Sequence, residues 1–393
     1  LPDNYYKEHY LSIRNITVFS QGDSSSSKTW SNIPFYLTNT LRDKGIVVNT
    51  TNVEPDGILR AFYDKFLCRI LRHTFWRDTT YTYERSGSFQ RAVNAKMKTA
   101  LKAYPNTDVF ISTSFSFHPG SMTEKPCILF CDWNYEFLIS QFKEKSPDWF
   151  EKKGISIQDR VIQSADLVVS LFPNMAQYMS EQYPNTKVLY LGNVINSEPF
   201  EININELGNR FGDPNIIFVG MPRYINGLTS LIEAVTSINN SGTRLGLDII
   251  GMNQSDVSSS TFPSYIRFHG YLEKSKDNQL EQYNSLMKSA LAFINTTPQW
   301  AGFSSTLEAM YFGLPIYTSR YHSFVETFGS SLDFGDYCES NNPRDIETFI
   351  TSLLKLNQDE YVSLCQNARK KAEPFTWSAY VDKLISKIET ELL

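Results

Sequence analysis

Trp300-Ala-Gly-Phe-Ser-Ser-Thr-Leu-Glu-Ala-Met-Tyr-Phe-Gly-Leu-Pro-Ile-Tyr-Thr-Ser319 compresses a loop, a helix start, a helix and a buried strand into one run. Ala290-Leu-Ala-Phe-Ile294 leads in and Leu314-Pro-Ile-Tyr-Thr318 leads out. Each is short and apolar enough for a strand of a parallel sheet covered on both faces. Between them Ser305 and Glu308 have capping-box spacing, Gly313 falls where a helix ends in a left-handed residue, and Pro315 follows. In such a unit the helix starts at the carboxyl end of the sheet, where unpaired N–H groups and the helix dipole favour a phosphate. This stretch is the expected anion site.

The same alternation extends backward. Strands are expected at 215–219, 245–250 and 266–269, with helices at 228–239 and 278–289 between and after them. Toward the N-terminus, a strand at 13–19, a small-residue loop at 21–27 and a helix at 32–44 ended by Gly45 lead to a strand at 46–50. A helix at 87–102 and strands at 108–112, 127–131, 165–170 and 187–191 complete that half. The implied class is α/β, with two Rossmann-like domains. The expected division is 1–195, a linker at 196–214 rich in Asn, Glu and Gly, a second domain at 215–375, and a C-terminal helix at 376–393 that crosses back to the first.

Composition bounds the function. A chain of 393 residues with 41% hydrophobic and 20% charged residues has enough apolar material for two cores. A net charge of −5 argues against nucleic acid as a main partner. Five scattered cysteines suit reduced thiols in a cytoplasmic protein, and no His or Cys cluster beside Cys127 and Cys131 completes a metal site. No apolar run reaches membrane-spanning length and the first residues lack a signal-peptide core, although the chain does not begin with Met and a leader removed earlier is compatible with it.

The segment 57–77 sets Ile58, Leu59, Phe62, Phe66, Ile70, Leu71 and Phe75 at helical spacing among Arg60, Lys65, Arg69, Arg72 and Arg77. One reading lays it on the anionic inner face of a membrane as a peripheral contact. The plainer reading, preferred here, turns the apolar stripe to the sheet and solvates the charges.

Leu191-Gly-Asn-Val-Ile195, Ile217-Phe-Val-Gly220, Gly227-Leu-Thr-Ser-Leu-Ile-Glu-Ala234, Asp248-Ile-Ile-Gly251, Phe268-His-Gly270 and Gly302-Phe-Ser-Ser-Thr-Leu-Glu-Ala-Met310 with Gly313-Leu-Pro315 follow one another in an order and spacing that resemble the nucleotide-sugar domain of retaining glycosyltransferases of family 4. That family has the GT-B architecture, two Rossmann-like domains facing a cleft whose closure excludes water. The first half resembles the acceptor domain more loosely, through 165–170 and the strand ending at Asp132.

The resemblance implies a metal-independent hexosyltransferase that takes a UDP- or GDP-linked sugar and passes the sugar, with retention, to a glycan, lipid-linked or protein acceptor. It implies that Glu308 accepts hydrogen bonds from the ribose, that Gly302, Phe303, Ser304, Ser305 and Thr306 cradle the diphosphate, and that Arg223 neutralises it. Asn226 occupies the place of the family's lysine, and Trp300, beside Gln299, that of its first motif glutamate. Asp132 would orient the acceptor or stabilise charge on the sugar, with a strand-end aspartate as the plain alternative. His118 is an acceptor ligand or simply a loop residue, and Gly22 a weak candidate for close approach to a ligand. The absence of any Asp-x-Asp motif leaves no metal implied.

The exchanges at Asn226 and Trp300 keep a second class open: a weak or inactive GT-B protein that serves as a partner or acceptor-recognition subunit. An epimerase on the same architecture is a third reading. A dehydrogenase fits least, because neither half carries the glycine fingerprint followed by an acidic ribose ligand.

Overall fold

The protein is described from a computed structural model covering residues 13–26, 29–55, 57–74, 76–143, 145–203, 207–257, 261–298 and 303–393. Phe75, Gln299, Trp300 and Gly302 lie outside the described residues. The chain divides into two compact units, one running up to Gly192 and taking in Tyr380–Leu393, the other Asn193–Ala379.

The first unit holds strands β1 (Asn15–Ser20), β2 (Val47–Asn52), β3 (Val109–Ser112), β4 (Cys127–Cys131), β5 (Leu167–Ser170) and β6 (Val188–Tyr190). They form one parallel sheet in the order β2-β1-β3-β4-β5-β6. The central strands are buried along their length, as expected where helices cover both faces. The helices Ile33–Asp43 and Gly87–Ala103 stand close to their expected places. Two further helices, Trp149–Gln163 and Pro173–Gln182, were not anticipated. The first carried a legible signal: Asp148 Oδ1 accepts from Glu151 N over 2.9 Å while Glu151 Oε2 accepts from Asp148 N over 2.9 Å, a complete capping box. Pro173 opens the second, at a position where its missing N–H costs nothing.

The segment from 57 to 73 is helical throughout, but its preferred reading fails. Ile58 is 84% exposed, Phe62 57% and Phe66 61%, so apart from Leu71 the described part of the apolar stripe faces solvent and not the sheet. The opposite side holds the helix to the unit, with Cys68 and Leu71 buried beside Tyr81. Both faces carry apolar residues, and periodicity alone chose the wrong one.

The second unit repeats the architecture with β7 (Asn215–Val219), β8 (Gly246–Ile250), β9 (Ile266–Gly270), β10 (Ala292–Asn295), β11 (Ile316–Ser319) and β12 (Gly335–Cys338). These are also parallel, in the order β12-β11-β10-β7-β8-β9. Counted from β7 this is the doubly wound order 3-2-1-4-5-6, and its direction reverses between β7 and β10. β12 was not expected: it is a short edge strand, Gly-Asp-Tyr-Cys, without an apolar run. Leu207, inside the segment expected to link the halves, is buried in this unit's core with Phe218, Leu231 and Tyr361. The last helix, Trp377–Leu392, begins in the second unit, where Trp377 Nε1 donates to Asn196 Oδ1 over 2.9 Å. It ends in the first, where Tyr380 meets Phe130 edge-on and Lys187 pairs with Glu391.

Candidate functional site

Ligands of doubly wound sheets bind outside the carboxyl ends of the strands at the reversal of strand order. In the second unit that place lies beyond β7 and β10. The loop after β7 carries Arg223 on a short 3-10 turn, Pro222–Tyr224, before the helix Ile225–Asn240. The loop after β10 is Thr296-Thr297-Pro298. The two are held against each other. Thr297 Oγ1 donates to Asn295 Oδ1 over 2.7 Å, Thr296 Oγ1 donates to Asn341 Oδ1 over 2.6 Å, and Asn341 Nδ2 donates to the carbonyl of Asn226 over 3.2 Å. Gly227 permits the approach, since a Cβ there would sit 2.8 Å from Thr297 N. Arg223 is exposed and, among the described residues, no acid pairs with it. Asn226 contributes its carbonyl to this lock and exposes its side chain.

The helix Ser304–Tyr311 differs at its two ends. At the carboxyl end Arg210 Nη1 donates to Gly313 O over 2.8 Å and Nη2 to Phe312 O over 3.0 Å, while its Nε reaches Lys288 O over 3.0 Å. Arg369 bonds the carbonyl of Tyr311 and lies over its ring, 3.4 Å from the centroid. Gly313 follows at φ 65°, the left-handed residue expected there. Two arginines thus satisfy the carbonyls and the negative end of the dipole. At the amino end no side chain caps the helix.

The expected capping box is therefore absent. The cap position is Phe303, so Ser305 lies two residues too far along to cap. Phe303 is a core anchor whose ring packs on Phe324 at 5.5 Å, and only its backbone faces the helix start. Thr306 is buried, Ser305 partly so, and Ser304 exposed.

Ser304 Oγ donates to Asn193 Oδ1 over 3.4 Å, and the same oxygen accepts from Val194 N over 2.7 Å. These contacts fix which end of the amide is oxygen, leaving Asn193 Nδ2 with no partner among the described residues in a side chain 1% exposed. A buried donor without an acceptor costs about 1–3 kcal/mol, and it stands beside a helix start whose cap residue offers no side-chain acceptor. Asn193 belonged to a recognised motif, but nothing local in the sequence marked it as a donor.

Glu308, one turn along, is 7% exposed and faces inward. Tyr283 OH donates to its Oε2 over 2.8 Å and Lys274 Nζ bonds its Oε1. Lys274 also lies over the Tyr283 ring, 4.1 Å from the centroid. Burial, with Glu308 beside it, pushes the Tyr283 phenol well above its usual range and keeps it a donor. A carboxylate has about four acceptor sites, so these two bonds leave capacity for a diol. Lys274, on the loop after β9, and Tyr283, on the helix Asp277–Ser289, were both missed in the sequence.

The first-unit candidates do not gather in this way. Both ring nitrogens of His118 are engaged: Nδ1 accepts from Gly120 N over 3.0 Å, and Nε2 donates to Val161 O over 2.9 Å. Burial lowers its pKa, so the ring is a neutral structural group with no nitrogen left for an acceptor. Gly22 has φ 106°, but its N–H donates to Asn52 Oδ1 over 3.0 Å and a Cβ there would meet Thr29 at 2.9 Å, so no ligand space lies over it. Asp132, at the end of β4, accepts from Trp133 N over 2.8 Å and from Cys131 Sγ over 3.3 Å. Burial nevertheless raises its pKa above the usual carboxylate range. Among the described residues no group of three or more His, Cys, Asp or Glu side chains is placed to hold a metal ion.

In sequence the chain matches no protein-family model and no curated protein. In structure it is similar to a glycosyltransferase from Rickettsia africae, at 13% identity and a TM-score of 0.64 over 97% of this chain and 99% of that one. Sucrose-phosphate synthase from Thermosynechococcus elongatus aligns at 13% identity and a TM-score of 0.63, over 96% and 98% of the two chains. HepE of Anabaena, solved with UDP and glucose, aligns at 12% identity and a TM-score of 0.59, over 96% and 99%. At these identities the likeness speaks to fold alone, and the fold is the GT-B arrangement of two Rossmann-like domains.

Proposed function

We propose that this protein is a glycosyltransferase that moves a hexosyl group from a UDP- or GDP-linked sugar to a glycan, lipid-linked or protein acceptor with retention of anomeric configuration. The observation that carries the reading is the helix Ser304–Tyr311, whose carboxyl end is closed by Arg210 and whose amino end is open beside the unpaired amide of Asn193. Such an end accepts the diphosphate. Glu308 takes the ribose diol, held in orientation by Tyr283. Arg223 is one cation for the leaving diphosphate, and Lys274 is the second, in place of the lysine that Asn226 replaces. With two cations in these roles the reaction needs no metal. Asp132 serves the acceptor, its raised pKa suiting a group that holds a hydroxyl.

A thermal-shift panel of UDP, GDP and their hexose conjugates tests this directly. A ligand present at a hundred times its dissociation constant adds about 2.7 kcal/mol to stability. One nucleotide series should raise the melting temperature, and Glu308→Ala should abolish that rise without unfolding the chain. No shift from any member of the panel sinks the reading.

Asn226 and Trp300 favour the rival, a partner protein that binds without transferring. Release of free nucleotide from the donor separates the two, since only a transferase turns the donor over.

A further inference from the structure

The helix Gly57–Phe62, the π turn Tyr63–Leu67 and the helix Cys68–His73 form one continuous rod. It is anchored along one side by Tyr63, whose ring lies 5.1 Å from that of Tyr83, and by Cys68 and Leu71 in the cluster with Tyr81. Along another side Ile58, Phe62, Phe66 and Ile70 recur every fourth residue, all exposed, with Leu59 next to them. Residues four apart overshoot a full turn in an α-helix and fall short of one in a π turn, so a π turn inside the row straightens it. Phe62 and Phe66 stack at 5.8 Å. Of the ten exposed large apolar residues among those described, five are on this rod. Singly scattered apolar residues need no explanation, whereas a contiguous row does.

Charge says what covers the row. Lys65, Arg69, Arg72, His73 and Arg77 are exposed next to it. Among the described residues Arg60 is engaged by Glu54 at 2.9 Å and Glu84 at 3.2 Å, but no acid pairs with Lys65, Arg69 or Arg72. Asp64, Lys65, Phe66, Arg69, Arg72 and His73 line one surface concavity. A chain of net charge −5 thus concentrates unpaired cations beside its most exposed apolar row. A second copy of the chain fits poorly, because a two-fold contact would set Lys65, Arg69 and Arg72 against their own copies. An anionic lipid surface satisfies both features: acyl chains take the apolar row and phosphates take the cations.

We propose that the rod from 57 to 73 docks the protein on an anionic bilayer, with Ile58, Leu59, Phe62, Phe66 and Ile70 entering the acyl boundary and Lys65, Arg69 and Arg72 meeting the headgroup phosphates. The inference stands apart from the transfer reaction and needs no nucleotide.

The test is flotation of the full chain with vesicles of phosphatidylcholine alone or mixed with phosphatidylglycerol. Binding is expected to the mixed vesicles, weak to the neutral ones, and lost at high salt. The triple variant K65Q/R69Q/R72Q should partition roughly a hundredfold less onto mixed vesicles, and F62S/F66S should lose binding as well. All five side chains are exposed, so both variants should keep the parent's circular dichroism and its thermal shift with nucleotide. Failure of the parent chain to float, equal flotation on neutral vesicles, or flotation indifferent to both variants overturns the proposal. So does light scattering that finds a dimer which F62S/F66S dissolves, since that would assign the face to a second copy.

Discussion

Tyr283 donates its hydroxyl to Glu308 Oε2 over 2.8 Å, inside a wall that leaves Glu308 7% exposed. The bond turns a buried carboxylate into an oriented one. Tyr283→Phe keeps the ring and removes the donor, so it should lower stability by about 1–2 kcal/mol in urea unfolding. Nucleotide affinity should fall several-fold because Glu308 loses its fixed rotamer. Unchanged affinity would show that the bond is structural alone.

Lys274 bonds the other oxygen of the same carboxylate. Lys274→Met preserves much of the stem's packing over Tyr283 and deletes the charge. If Lys274 serves the diphosphate, the variant should weaken nucleoside diphosphate binding about tenfold or more while affecting the nucleoside much less. Equal losses for both, measured by calorimetry, would leave Lys274 as a support of Glu308 only.

Asn193→Asp places a carboxylate where an unpaired amide donor now stands beside an open helix end. The new charge should occupy the anion site from within and repel a diphosphate, with a loss of about tenfold or more in affinity. Undiminished binding of the diphosphate would place the anion elsewhere.

Arg210 satisfies the carbonyls of Lys288, Phe312 and Gly313 from a side chain that is itself buried. Arg210→Met should destabilise the second unit by about 3 kcal/mol or more, since two buried acceptors and one part-buried acceptor lose their partner. A urea midpoint within error of the parent would contradict this account of how the helix Ser304–Tyr311 is held.

Asp248, in the middle of β8, lies under Arg267 and His269 of the neighbouring strand. Arg267 Nε and His269 Nε2 each reach its Oδ1 over 2.7 Å. Burial pushes its pKa up, but the hydrogen bonds from His269 and Arg267 outweigh this and bring it from 3.8 to about 2. Because the folded value lies below the unfolded one, the contribution is complete above about pH 4 and disappears as pH falls toward 2. The size is about 2 kcal/mol. Asp248→Asn should be less stable than the parent at neutral pH and should lack this part of the acid-induced loss. Parallel stability curves from pH 4 to 2 would refute the assignment.

Much of the frame was legible. Strand β4 stands at 127–131 and β7 at 215–219, as their apolar runs indicated, because strands buried on both faces must be apolar throughout. β12 escaped because an edge strand needs no such run. Within the site, a helix start close to Ser305 and Gly313 at the helix end were visible as local patterns. The capping role for Ser305 was a misreading of the same pattern by two residues, since the cap falls on Phe303, a residue chosen for what its ring packs against.

Local order along the chain was enough to determine the alternation of strands and helices, the short helix that ends at Gly313 and the place of Glu308 on it, because propensity and periodicity act between near neighbours. What meets those groups was decided only by tertiary structure. Asn193 lies 111 residues from Ser304, Arg210 103 from Gly313, and Lys274 34 from Glu308. The exposed face of the rod from 57 to 73 was settled the same way: its apolar rows look alike in sequence, and only the packing of Cys68 and Leu71 against Tyr81 determines which one is covered.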